Sequence, residues 1–221
     1  MAVLDVTGTG NAATISNDLG ITGGDMSMAM WVRFDAQPGQ FVHAFTWDAG
    51  TGVSYEFRYE DSAGVKKVRA YRGRNGIADD FATIDSTLTL DQWYHFGMTY
   101  AGTTITLYLD GVSQATATAS GNGNAGTTDG TAAGVFYRDA SPAAALDGKM
   151  AHFCVYNASI GAGRMANLRW KRPPDNDPNL VLYWPMDERG GGTVFDRAGT
   201  QQNGSITTPL WLSDHPPTGY K

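Results

Sequence analysis

Cysteine is nearly absent: Cys154 stands alone among 221 residues, which excludes an internal disulfide framework. In the run MAHFCVYN it alternates with its neighbours as a small core side chain does, which favours a core role over a reactive thiol. Charge is scarce too. Charged residues make up 17% of the chain, against about a quarter in an average globular protein. The balance is acidic, with a net charge of -6. Such a chain has no basic stripe for a phosphate backbone, so no nucleic acid is expected as a partner. The closest basic cluster, Arg69, Arg72 and Arg74, reads as a solvated strand edge. No apolar run approaches membrane-spanning length, and MAVLDVTGTG has neither the charged start nor the apolar centre of a secretory signal. The expectation is a protein made and released in the cytoplasm, with no membrane partner.

Glutamate is equally rare. Glu56, Glu60 and Glu188 are the only three, and no Glu-x-Asp-x-x-Glu run is present. Hydrolysis of a glycosidic bond needs two carboxyl groups about 5 to 9.5 Å apart. On a strand, Glu56 and Glu60 stand roughly 13 Å apart at about 3.3 Å per residue, too far for either hydrolytic geometry. They read as members of a wet sheet face pairing with Arg58, and Glu188 as part of a solvated loop. His43, His95, His152 and His215 are dispersed without zinc-ligand spacing, and His95 and His152 fall in strand patterns as hydrogen-bonded, partly buried imidazoles. No Gly-x-Ser-x-Gly marks a nucleophile, and the glycines Gly123, Gly126 and Gly130 lack the lysine of a phosphate loop. No catalytic residue and no metal-ligand set is assigned, and the chain is read as a non-enzyme.

What remains is a β-forming composition: 42% hydrophobic and 11% aromatic residues with 28 glycines between short apolar runs. SMAMWVRF puts Met28, Met30, Val32 and Phe34 on one face and Ser27, Trp31 and Arg33 on the other. VSYEFRYED alternates Val53, Tyr55, Phe57 and Tyr59 against Ser54, Glu56, Arg58 and Glu60. WYHFGMTY and TITLYLDG follow, and Asp110-Gly111 favours a tight hairpin. Between Thr116 and Gly134 large side chains are lacking, which predicts a strand edge and a loop. ALDGKMAHFCVYN resumes alternation, Ser159 is expected to cap a short helix with Met165 and Leu168 on one face, and LVLYWPM reads as another strand. No internal repeat is visible. About ten short strands and one helix predict an all-β, antiparallel two-sheet jelly-roll sandwich.

The segment QWYHFGMTYAGTTITLYLDGV, an aromatic-rich strand followed by a second strand ending in Leu-Tyr-x-Asp-Gly, resembles the central signature of laminin-G-like and pentraxin-like domains. LDGKMAHFCVYNASIGAGRMANLRW is similar to the closing segment of those domains, and LDVTGTGNAATISNDLGITGGDMSMAMWVRF to the opening one. The tail LVLYWPMDERGGGTVFDRAGTQQNGSI resembles a further element that often opens such domains, so the strand at 180–186 reads as permuted. The resemblance implies a concanavalin A-like jelly roll over residues 1–204, followed by an extended arm at 205–221. It also implies calcium as an optional ligand on loop aspartates such as Asp48, Asp79, Asp80 and Asp129, with no other cofactor.

Two functional classes follow. Laminin-G-like jelly rolls resembling this one, including the closing Gly-x-x-x-Asn-Gly-x-Ile and His-Pro-Pro, look like those encoded by tailed phages. That implies a structural virion protein, a decoration or cement protein outside a capsid, or a tail or fibre component. Its partners would be its own subunits and a capsid or other virion protein, and its place the virion surface after synthesis in the host cytoplasm. The alternative is a carbohydrate-binding or adhesion module facing a cell-surface glycan, which would be extracellular. For glycan contact, Trp47 with Asp48, and Tyr71 with Arg72, Arg74 and Asn75, are the candidates as exposed aromatics beside polar groups. Trp31, Trp93 and Trp184 read as core. For assembly, Pro209, Pro216 and Pro217 stiffen the arm, and Leu210, Trp211 and Leu212 form its apolar anchor, on a neighbouring subunit or on the protein's own sandwich.

Overall fold

The structure, a computed structural model, describes residues 3–5, 13–15, 19, 21, 24–37, 41–48, 53–74, 77–119, 132–135, 147–206, 209–214 and 216–217. Its strands are β1 (Val3–Asp5), β2 (Ala13–Ile15), β3 (Met26–Phe34), β4 (Phe41–Asp48), β5 (Val53–Ser62), β6 (Val65–Arg74), β7 (Ile77–Asp85), β8 (Trp93–Ala101), β9 (Thr104–Leu109), β10 (Val112–Thr118), β11 (Ala132–Val135), β12 (Gly148–Tyr156), β13 (Leu180–Trp184), β14 (Thr193–Val194), β15 (Gly204–Ile206) and β16 (Leu210–Leu212). One helix, α1 (Ala162–Leu168), follows β12.

The strands form two antiparallel sheets. The first runs β10-β9-β8-β3-β12-β1-β16, with β13 also paired to β12; the second runs β14-β15-β2-β11-β4-β5-β6-β7. Their inner faces meet in one core, because alternation sends every second side chain inward. Met26, Met28, Met30, Val32 and Phe34 of β3 face Tyr55, Phe57 and Tyr59 of β5 across the interior. Ring pairs lock the two layers: Phe34 lies 4.9 Å from Tyr59, and Phe57 lies 5.9 Å from Phe96. Tyr59 ends in two hydrogen bonds, donating to Gln37 at 2.7 Å and accepting from the Leu88 amide at 2.9 Å.

Two tight turns set the register of consecutive strands. Asp110 and Gly111 both take positive φ (52° and 77°) between β9 and β10, the conformation the Asp-Gly pair favours. Ala63 and Gly64 do the same between β5 and β6, at 54° and 84°.

The first sheet is buried on its outer face as well. α1 lays Met165 and Leu168 onto Ala29, Tyr108, Cys154 and Tyr156. Ser159 does not cap it: the N-cap is Gly161, without a side-chain bond. Ser27 makes the local anchor instead, its hydroxyl donating to the Ala158 carbonyl and accepting from the Ile160 amide, both at 2.9 Å. Cys154 is buried, and burial pushes its thiol up to about 12, which fits the core role read from its sequence.

The chain beyond α1 is built into the sandwich. β13 pairs with the second half of β12, while β1 pairs with its first half. Asp196 organises the following turn: its carboxylate accepts the amides of Tyr183, Ala198 and Gln202 and the Thr200 hydroxyl. Strand β15 runs through Ile206, so the arm starts after it rather than at 205. The arm returns as β16, an edge strand on β1.

Close backbone approach makes a sharp test at Gly148, where an added Cβ would lie 1.9 Å from the Arg33 carbonyl oxygen. Gly148→Ala should therefore destabilise the protein by about 2 kcal/mol or more. Gly163→Ala, in α1 with nothing within 4 Å, should stabilise it by roughly 0.5 kcal/mol. Urea melts of both variants read these opposite signs.

Candidate functional site

Strands β5, β6 and β7 present an outer face whose register is fixed by two ladders. Glu56 lies opposite Tyr71, Arg58 opposite Arg69, and Glu60 opposite Lys67; Phe81 lies opposite Tyr71, Thr83 opposite Arg69, and Asp85 opposite Lys67. Residues opposite each other share a face, so carboxylates, guanidinium groups and rings stand in three adjacent rows.

This face is not the wet surface the alternation predicts. Glu56 and Glu60 are both buried. Glu56 is bound by Arg58, as the sequence suggests, whereas Glu60 takes Arg69 at 3.0 Å instead. A buried carboxylate is tolerated only with such a partner. The guanidinium groups do double duty, Arg58 lying 4.2 Å above the Tyr71 ring and Arg69 4.3 Å above the Phe81 ring.

The glycan-contact candidates separate. Tyr71 is only 6% exposed, covered by Arg58 and by the parallel ring of Phe81 at 6.4 Å, so it is not the exposed aromatic expected. Arg72, next in sequence, points to the opposite side and is 1% exposed in the interior, 4.3 Å from the Tyr100 ring and 4.0 Å from Asp80. It belongs to the core, and β6, flanked by β5 and β7, is no solvated edge. Asp80 correspondingly sits in a strand with a cation beside it, which does not fit a calcium ligand on a loop. Arg74 ends β6, and Asp48 and Asp79 lie in β4 and β7, but their side chains, like that of Trp47, lie outside the described residues. Trp47 pairs through its backbone with Tyr55. Asn75 and Asp129 are themselves outside the described residues. Among the described residues no three His, Cys, Asp or Glu side chains gather as a metal site.

Among the described residues of this face, Phe81 is the aromatic that reaches solvent, at 40% exposure. Alternation does not single it out in sequence, because IADDFATID lacks a clean period-two pattern. Its signal is an aromatic in the same phase as Thr83 and Asp85 of IADDFATID, where a polar residue would be expected. Glu188 is partly buried rather than solvated: its carboxylate accepts the Phe195 amide at 2.9 Å, and burial pushes its carboxyl up.

The outer face of the first sheet is closed by the arm. Leu212 and Trp93 pack against Val3, Trp31 and Ala151, so Trp31 is core as read, and Trp93 is its partly exposed rim. Trp184 is core too, with its Nε1 donating to the Gln202 carbonyl at 2.8 Å. Trp211 packs on the main core and donates from Nε1 to the Gly191 carbonyl at 3.0 Å, while Leu210 is 49% exposed. Arg33 clasps the arm through Asp214 at 2.8 Å and also holds Asp35 at 2.8 Å and Asp91 at 3.2 Å. Burial would raise the Asp35 carboxyl, but hydrogen bonds from Arg33 and Lys149 hold it below the usual range.

His95 and His152 are more deeply buried than the sequence suggests. His95 meets Trp31 edge-on at 5.4 Å, and His152 Nδ1 shares a hydrogen bond with the Tyr183 hydroxyl at 2.9 Å. Burial, with nearby Arg169 and Arg172 respectively adding to it, pushes both imidazoles down to about 3. They are kept neutral in the fold but charge at about 6.5 once unfolded. The stability they contribute is therefore complete above about pH 6.5 and is lost as the pH falls toward 3. Between pH 7 and 5 the protein should lose roughly 2 kcal/mol for each ring, and His95→Phe should flatten that slope in denaturant titrations.

A sandwich of two antiparallel sheets in this arrangement is the architecture of a jelly roll. The chain belongs to the concanavalin A-like lectin/glucanases superfamily, whose laminin-G model matches residues 7–164. No curated protein matches the chain in sequence. Among solved structures, a Bacteroides ovatus protein described as carbohydrate binding is similar at 15% identity with a TM-score of 0.72, covering 96% of this chain and 59% of its own. This chain thus spans under two thirds of that protein. The native heptameric SAP-like pentraxin of Limulus polyphemus is similar at 10% identity and a TM-score of 0.62, over 93% of this chain and 95% of its own. Tailspike protein 2 of the Escherichia coli O157:H7 bacteriophage CAB120 is similar at 14% identity and a TM-score of 0.54, over 80% of this chain and 25% of its own.

Proposed function

We propose that this protein is a non-catalytic glycan-binding domain of the laminin-G/lectin type, working through the outer face of β5, β6 and β7. The observation that carries the reading is that face itself: a solvent-reaching aromatic among fixed carboxylate and guanidinium groups, the combination that binds a sugar's apolar and hydroxyl surfaces together. The superfamily, and the carbohydrate-binding description of the Bacteroides protein, point the same way. The carboxylates support binding over hydrolysis. Among the described residues Glu56 and Glu60 are each committed to an arginine, and Glu188 is held by a backbone amide, so these three glutamates do not stand as a free pair across a common space.

The test is a glycan array followed by calorimetry on the full chain. Saturable binding of at least one glycan class without turnover is expected; hydrolysis of a bound glycan, abolished by Glu56→Gln or Glu188→Gln, would instead assign an enzyme.

A second reading places the domain at the surface of a phage particle, in a tailspike or fibre or as capsid decoration, after synthesis in the host cytoplasm. The tailspike likeness favours the first of these settings. In it the glycan would be a host receptor, and the arm would be the contact to other subunits. Leu210, exposed on edge strand β16, is the side chain an assembly contact would use. Leu210→Asp should then lower the sedimentation coefficient of an oligomer while leaving the melting temperature unchanged.

A further inference from the structure

We infer that the ligand of the β5–β7 face is a neutral saccharide stacked on Phe81; this rests on the glycan-binding reading and narrows it to one ring and one class of sugar. Of the two parallel rings on the face, Tyr71 is buried and Phe81 is not. A ring has two faces, and on Phe81 the Arg69 guanidinium occupies one of them at 4.3 Å. The exposed part is the remaining face and edge, which water solvates poorly and the C–H surface of a pyranose covers well.

Charge selects the class. Among the described residues of this face each cation has its own anion: Arg58 with Glu56, Arg69 with Glu60 at 3.0 Å, and Lys67 with Asp85 at 3.8 Å. Three against three leaves no surplus positive charge to offset the desolvation of a sialyl, sulfate or uronate group.

Unused hydrogen-bonding capacity points to hydroxyl groups. Glu60 Oε2, Arg69 Nε and Thr83 Oγ1 are buried and have no hydrogen-bond partner, although buried polar atoms are nearly always satisfied. Arg69 and Thr83 are directly opposite in the ladder, and Arg69 is bound to Glu60. The three atoms are thus an acceptor, a donor and a hydroxyl in one neighbourhood. A vicinal diol is complementary: one hydroxyl donates to the carboxylate while its neighbour accepts from Nε–H. Arg69 also lies on Phe81, so these atoms adjoin the ring on which the sugar stacks.

The experiment uses an array of neutral oligosaccharides ending in glucose, galactose, mannose or N-acetylhexosamine, beside sialylated, sulfated and uronate-containing ones, with calorimetry on the hits. Neutral glycans should bind. Phe81→Ala should weaken them about tenfold or more, corresponding to loss of a ring contact, while Phe81→Tyr stays close to the parent. Thr83→Val, which keeps the side-chain shape, should weaken binding severalfold and provides a readout even if Phe81→Ala perturbs folding. Binding of acidic glycans alone overturns the ligand class. Neutral binding that is indifferent to Phe81→Ala and Thr83→Val overturns the site while sparing the glycan-binding function. Failure to bind any glycan overturns that function, and this inference with it.

Discussion

The fold turns on one strand that must satisfy more neighbours than a strand has sides. All nine residues of β12 are buried, and buried backbone amides and carbonyls need partners along their whole length. β3 supplies one side. On the other side two short strands share the work in tandem, β1 opposite Lys149 and Met150, and β13 opposite Phe153 to Tyr156. The handover falls at His152, where φ is 54° and the ladder to β3 slips by a residue, as in a β-bulge that re-aims a strand. The His152 amide is not orphaned there, because it donates to the Pro185 carbonyl at 3.2 Å. From that junction β1 leads to β16 and the arm, and β13 leads through the Asp196 turn to β14 and β15 in the other sheet. The two sheets are thereby tied at one margin by the segment beyond the family match.

The same junction explains the burial of so much polar chemistry on the outer side of the first sheet. α1 and the arm cover it, and the side chains beneath must be neutral or paired. His95 and His152 are held neutral, Lys149 reaches Asp35 at 3.0 Å, and Arg33 binds three aspartates. Sheet two meets the same constraint differently. On its inner side Arg72 is accommodated by Asp80 and the Tyr100 ring, and on its outer side the glutamates are matched one to one by arginines. Such pairs stabilise a fold only modestly against apolar replacements of equal shape. Their effect here is positional: they fix rings and carboxylates in rows on a surface that loops could not hold as rigidly.

Alternation alone determined a good deal. The runs SMAMWVRF, VSYEFRYED and WYHFGMTY had to be strands because their apolar residues repeat every second position, and Asp110-Gly111 had to be a hairpin because few other pairs accept positive φ twice. The core place of the lone cysteine and the core roles of Trp31 and Trp184 were legible for the same local reasons. Which faces were covered was not. Period two states that Glu56 and Glu60 point away from Tyr55 and Phe57, but not that Arg69 comes from the next strand to bury one of them. It puts Tyr71 and Arg72 side by side in sequence and cannot say that one lies under a guanidinium outside the sheet while the other sits between the sheets. Phe81 became visible as a surface only when β7 took its place beside β6. Burial is a property of what packs against a residue, and those neighbours come from strands tens of residues away, so only the tertiary structure could decide them.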